Sequence, residues 1–390
     1  MEINSKASFL VKPPAKIKIA PPVFCALHKK AMRVKISYHS FVSVIRDMIK
    51  SSNMRQRMEI FMKVKVGLPK ALLTYYYYPF WKTMFEELGC EVVLSDDTNS
   101  GIIEEGGNVT VSELCVPIKI FNGHVVNLIE KGVDYIFIAR FVRHKKEWYC
   151  PKFIGLTEIV DYSIDFKNSV PLYADITSDT DIPDKVSDYE HMMKMLNIDK
   201  KRMKAALAAA KKSFLKCREW SHQGYTIAES FEKFDGKNVE LNKREENVTI
   251  ALLGYVNNIY DNFVSMNAIK KLREMGVNVI TFDMIDEKEI EPNREYGRQP
   301  FWVFARKIYN ASRYFNKHHM ADGIIHLTAF GCGPDSIIGK LMEMDCDELN
   351  IPFMTLRVDE HTGESHVLTR LEAFTDMLRL RKNKTGGEVR

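Results

Sequence analysis

The chain predicts an α/β fold: two Rossmann-like lobes with mainly parallel sheets, joined by a helical connector, with the cleft between the lobes as the default ligand site. Three observations carry this. From Met62 onward, short β-rich runs alternate with helical stretches. Residues 184–235 break the alternation with a helical composition and no strand candidate. A second alternating series then begins at "VTIALLGYV", and its "EMGVNVI" echoes "ELGCEVV" of the first, although any two βαβ units share some of this likeness.

Each element follows from its pattern. "VKVGLP" is a short strand stopped by Gly and Pro, and "YYYYPFWKTMFEELG" reads as a helix after its proline. "CEVVLSDD" is a strand, "SELCVPIKIFNGHVVNLIEKG" a helical segment, and "VDYIFIARFV" a buried strand, apolar nearly throughout. "CPKFIGLTEIV" is a short helix and "VPLYADI" a strand. The connector includes "ALAAAKKSFLKCREW", rich in good helix formers. After the strand "VTIALLGYV", "NFVSMNAIKKLREMG" places Phe263, Met266, Ile269 and Leu272 at helical spacing before a Gly stop. Strands "VNVITFDMI", "DGIIHLTAF" and "PFMTLRVDE" then alternate with helices "FWVFARKIYNASRYFNK" and "GPDSIIGKLMEM", and "ESHVLTRLEAFTDMLRL" closes the fold. The expected division is a leader over 1–61, an N-terminal lobe over 62–183, a connector over 184–246, a C-terminal lobe over 247–380 and a polar tail over 381–390.

The net charge of +5 is unevenly spread. Residues 1–62 hold twelve Lys/Arg and three Asp/Glu, so they carry +9 and the rest carries 5 − 9 = −4. The folded part therefore offers no electrostatic footprint for nucleic acid. The leader, with "VKPPAKIKIAPP", is expected to be disordered; Met62 is an alternative start of translation, and a targeting peptide fits the prolines and lysines poorly. No apolar run approaches the roughly 18–20 residues of a membrane span. Seven cysteines in a large chain without a visible secretory signal point to reduced thiols and a cytoplasmic protein.

Three of the cysteines stand at element junctions: Cys115 in "SELCVPIK" near the start of a predicted helix, Cys150 in "EWYCPKF" in the loop after strand 134–142, and Cys332 in "FGCGPDS" directly after strand 323–330. A thiolate there gains from backbone N–H groups and the helix dipole. Gly331 and Gly333 would let a bulky ligand approach the backbone. There is no C-x-x-C pair, P-loop or G-x-G-x-x-G fingerprint, so spacing alone leaves a shared metal site and three unrelated thiols both open. Cys25, Cys90, Cys217 and Cys346 read as inert thiols. In "LRVDEHTGESH", Glu360 and His361 are the candidates for acid–base work at a strand end, while Thr362 or Gly363 could simply cap the closing helix. His124 reads as a packed or surface histidine, the tyrosine run as core, and Asn257, Asn258 and Asp261 of "GYVNNIYD" as capping or ligand-binding groups.

Taken together, "GLPKALLTYYYYPFWKTMFEELGCEVVLS", "ELCVPIKIFNGHV", "DYIFIARFV", "YCPKFIGL", "FGCGPDS" and "DEHTGE…TRLEAFTDML" resemble the CoA enzyme activase uncharacterised domain, a family related to 2-hydroxyacyl-CoA dehydratase subunits. The resemblance runs from about Met62 to about Leu378. It implies a [4Fe–4S] cluster in the cleft, held by Cys115, Cys150 and Cys332 with one iron open. It also implies an ATP-dependent activase of actin-like fold as electron donor, and a 2-hydroxyacyl-CoA thioester as the class of substrate. Glu360 or His361 would then serve proton transfer beside the cluster. A carrier or scaffold with the same cluster, or a structural zinc protein, remains an alternative, as does assembly into a homo- or hetero-oligomer. "GYVNNIYD" stands where the family more often shows "GHPYNLYD", so a His and a Pro are replaced. No ATPase domain of the kind often fused to this family is visible, and activase activity of the chain itself is not expected.

Overall fold

A computed structural model describes residues 63–241, 248–290, 299–359 and 362–387. The chain divides into two units, Met1–Lys63 and Val64–Arg390, and the second carries the fold. The leader over 1–61 lies outside the described residues.

The first half builds one sheet. Its elements are β1 (Lys65–Leu68), α1 (Thr74–Glu87), β2 (Glu91–Leu94), α2 (Ser100–Val109), α3 (Val116–Glu130), β3 (Tyr135–Phe141), the short hairpin β4 (Arg143–His144) and β5 (Glu147–Trp148), α4 (Pro151–Ile154), α5 (Leu156–Ser163) and β6 (Val170–Ile176). The sheet order is β2-β1-β3-β6, with every pair parallel. Helices α6 (Glu190–Leu196), α7 (Lys200–His222) and α8 (Ile227–Phe234) follow, and α8 opens with a capping box between Thr226 and Glu229. The second half runs β7 (Val248–Leu253), α9 (Val256–Tyr260), α10 (Ala268–Glu274), β8 (Val277–Ile280), α11 (Val303–Lys317), β9 (Gly323–Ala329), α12 (Gly333–Glu348), β10 (Phe353–Val358) and α13 (Glu364–Gly387). Its sheet is again all parallel, in the order β8-β7-β9-β10.

Numbered within each half, both sheets read second-first-third-fourth. The echo between "ELG" and "EMG" has a shared structural place. Gly89 and Gly276 take φ of +83° and +73°, and each ends the helix before its sheet's second strand. Ile250–Leu253 and the whole of β9 are buried because helices cover both faces, and these runs are apolar apart from His326 and Thr328.

Several elements differ from expectation. Helix α1 starts at Thr74 and contains Pro79, rather than beginning after it. An interior proline costs about 3 kcal/mol. Burial of Tyr75–Tyr78, Phe80 and Trp81, each worth about 1.5–3 kcal/mol, outweighs that cost. The tyrosine hydroxyls are also satisfied: Tyr76 donates to Asp181 Oδ2 (2.6 Å), Tyr77 to the Asp181 carbonyl (3.0 Å), Tyr75 to Asp261 Oδ2 (3.1 Å) and Tyr78 to Asp235 Oδ2 (3.1 Å). The tyrosine run is thus core, and it ties the two lobes together. Helix α10 begins at Ala268, not near Asn262, because Met266 and Asn267 take left-handed φ and Asp261 accepts the Phe263 and Val264 N–H groups in a turn. Helix α13 continues to Gly387, through most of the expected tail. No helix among the described residues is long and apolar enough to cross a membrane.

Candidate functional site

The three singled-out cysteines occupy the same local position in three different places. Cys115, Cys150 and Cys332 are the N-cap residues of α3, α4 and α12, each with extended backbone and a proline in the first helical positions. Proline suits that position because its missing N–H would have no helical partner there. None of the three thiols makes a capping hydrogen bond, although first-turn N–H groups lie near enough to act on each.

The fold brings these helix starts together. Gly331, at φ +78°, lies against Cys115: a Cβ added there would stand 3.3 Å from the Cys115 Cα. The Val116 N–H approaches the Phe330 carbonyl at 3.5 Å. Cys150 is near enough for its thiol to act on those of Cys115 and Cys332. A Cβ at Gly333 would meet nothing within 4 Å, so the start of α12 is open. All three cysteines are half-buried free thiols, whereas Cys90, Cys217 and Cys346 are fully buried.

Two effects compete on the thiols. Burial pushes all three pKa values up, and backbone N–H groups of the following turns pull them down: Ile118 on Cys115, Phe153 and Lys152 on Cys150, Asp335 on Cys332. Burial wins, so the helix starts do not by themselves make these thiols reactive anions. A thiophilic metal would displace the protons on binding.

The donor set is three sulfurs without oxygen, which suits iron–sulfur chemistry. Among the described residues, no three His, Cys, Asp or Glu side chains stand close enough to hold a single metal ion. A multi-iron cluster is wider than one ion, and its thiolates stand correspondingly farther apart. It is the chemistry of the donor set, three sulfurs, that fits such a group.

Tyr255 was not singled out by sequence reasoning. It follows β7, the strand beside β9, and caps α9. It is 5% exposed, its ring stacks on Phe304 at 5.9 Å, and its hydroxyl has no hydrogen-bond partner. Behind the start of α12, buried Asp335 accepts from or donates to His326 Nε2 at 2.9 Å through Oδ1.

The other candidates separate. Glu360 and His361 lie outside the described residues. Beside them, Thr362 Oγ1 bonds Asp359 rather than the start of α13. His124 is packed, with Nδ1 2.8 Å from Ser95 Oγ and Nε2 3.0 Å from Thr98 Oγ1; burial drives its pKa down to about 3. Asn257 donates to Asn258, and Asp261 caps its turn while binding Tyr75 and Thr98, so Asp261 serves the fold.

Fold and site define a two-lobed α/β protein with three cysteines gathered at helix starts. The chain belongs to the family described as the CoA enzyme activase uncharacterised domain, whose model matches residues 65–285. No curated protein matches it. Among solved structures it is similar to a Lac repressor bound to ONPG in the repressed state, at 10% identity over 85% of this chain and 93% of that one, with a TM-score of 0.21. It is also similar to a D-2-hydroxyisocaproate dehydrogenase, at 14% identity over 67% and 61%, with a TM-score of 0.15. Neither likeness is close enough to bear on fold or function.

Proposed function

We propose that this chain is an iron–sulfur protein holding a [4Fe–4S] cluster on Cys115, Cys150 and Cys332. It would accept low-potential electrons from a separate ATP-dependent activase and serve radical dehydration or reduction of a CoA thioester or similar substrate. What supports the reading is that each of the three cysteines is the N-cap of its own helix, that Gly331 beside Cys332 lies against Cys115, and that Cys150 acts on the thiols of both. Family membership supports the activase-related setting.

A bound cluster would supply one-electron chemistry and, with three protein thiolates, one iron open to an outside ligand. The chain's own residues do the rest. First-turn N–H groups near the sulfurs favour negative charge there. Gly331 permits the close approach of two of the helix starts. Phe330 and Trp148, two residues before Cys332 and Cys150, are 59% and 44% exposed and offer apolar surface to a partner protein beside the site.

That exposure, with the half-buried cysteines, favours a second reading: an electron carrier with the same cluster and no substrate. Calorimetric titration with a 2-hydroxyacyl-CoA separates the two, since only the enzyme binds it.

The cluster itself is tested by anaerobic purification and reconstitution, with iron, sulfide and absorption measured before and after dithionite. Near-stoichiometric iron and sulfide, with bleaching lost in Cys332→Ala, is the expected result. Protein free of iron after reconstitution would remove the reading.

A further inference from the structure

Tyr255 carries an unpartnered buried hydroxyl beside elements that lead to the cysteines. Leu253 pairs with His326 across β7 and β9, so the chain leaves β7 at Tyr255 beside the strand that runs on to Cys332. The position is imposed by close packing: a Cβ at Gly254 would lie 2.3 Å from the Leu327 carbonyl oxygen, so the backbone before Tyr255 is pressed against β9. The ring is held by Phe304, which also meets Tyr149, the neighbour of Cys150, at 6.2 Å. The hydroxyl is buried without a partner, and so is Oδ2 of the neighbouring Asp335, whose Oδ1 bonds His326. A buried hydroxyl without a partner costs free energy, so a native protein rarely keeps one without a reason. Burial holds the phenol well above its ordinary pKa, and Cys332, Asp335, Cys150 and Cys115 are near enough to act on it.

We infer that Tyr255 is a positioning residue whose hydroxyl donates a hydrogen bond to the sulfur-ligated group held by Cys115, Cys150 and Cys332, stabilising the reduced form of that group. The inference rests on the cluster reading above. A donor aimed at cluster sulfur favours the more negative, reduced state and raises the reduction potential.

The test is Tyr255→Phe, which keeps the ring and removes the donor. The reconstituted wild-type and variant proteins are titrated with dithionite against redox mediators, following the reduced cluster by electron paramagnetic resonance. The expected result is unchanged iron and sulfide with a midpoint shifted negative; a tenfold loss in the reduction equilibrium corresponds to about 59 mV for one electron. Thermal unfolding gives a second readout. Before reconstitution the variant should melt at or above the wild-type temperature, because it has lost an unsatisfied buried group; after reconstitution it should melt below it. Equal midpoints in two fully loaded proteins, or the same order of melting temperatures in both states, would overturn the role of Tyr255 and leave the cluster reading standing. Absence of iron and sulfide from both proteins would overturn both.

Discussion

Gly331 and Gly333 flank Cys332 yet should respond oppositely to the same change. At Gly331 an alanine must adopt φ +78°, a left-handed conformation that costs an L-residue about 1–2 kcal/mol. Its Cβ would also stand 3.3 Å from the Cys115 Cα, a backbone atom that cannot swing aside. At Gly333, the first residue of α12, an added Cβ meets no atom within 4 Å. Gly331→Ala should therefore lose about 1–2 kcal/mol, and Gly333→Ala should stay within about 0.5 kcal/mol of wild type. At about 2.1 cal/mol/K per residue, the Val64–Arg390 unit converts that loss to about 1.5–3 °C in Tm. Scanning calorimetry of the iron-free proteins reads it. Iron retained after anaerobic reconstitution gives a second measure, and should fall for Gly331→Ala because Cys115 is displaced. Two variants alike in Tm and iron content would refute the close approach of the Gly331 loop to Cys115.

Three further outcomes follow from groups outside the cysteine site. Lys307 and Asp181, 5% and 8% exposed, form an ion pair, and Glu287 lies 3.1 Å from Lys307. Lys307→Met should cost about 3–5 kcal/mol in urea denaturation by stranding a buried carboxylate, and adding Asp181→Asn should recover much of it; equal loss in single and double variants would contradict the pairing. His124, held neutral by burial with a pKa near 3, binds a proton when unfolded but not when folded between pH 6.5 and about 3. Its contribution is nil above that window, and stability falls as pH drops through it, by about 2 kcal/mol at pH 5; His124→Gln should flatten the slope between pH 7 and pH 5, and an unchanged slope would oppose the assignment. Tyr75→Phe removes a buried hydrogen bond to Asp261 between the lobes and should lower the urea midpoint by the equivalent of about 1–1.5 kcal/mol; no change would deny that tether a role in stability.

The fold was legible wherever the pattern was local. The strands announced themselves as apolar runs, and both sheets proved parallel. What the pattern hid was tertiary. Helix α2, "SGIIEEGGNV", has the glycine content of a loop, yet Gly106 and Gly123 are what allow it to pack on α3: a Cβ would lie 2.1 Å from the Lys119 carbonyl oxygen in one case and 1.9 Å from that of Ile102 in the other. Packing at backbone contact overrides the propensity cost of about 1 kcal/mol per glycine. The hairpin β4–β5 is two residues a side, too short to show alternation. The helix starts at the three cysteines were legible from the prolines that follow them; a strand precedes Cys332, whereas Cys115 follows α2 rather than a strand. Tyr255 was marked only as the residue that replaces the family's His in "GYVNNIYD"; that its hydroxyl is unpartnered is a property of its surroundings. The expected activation of the thiols by helix N-termini was half right: the N–H groups act as anticipated, and burial outweighs them.

The central claim is that three of the cysteines share one inorganic group. The direct test is iron and sulfide content after anaerobic reconstitution of six single Cys→Ala variants, at positions 90, 115, 150, 217, 332 and 346. Loss at 115, 150 and 332, with full loading at the three buried control positions, is the predicted result. Full loading in any of the first three, or loss spread evenly over all six, would contradict it.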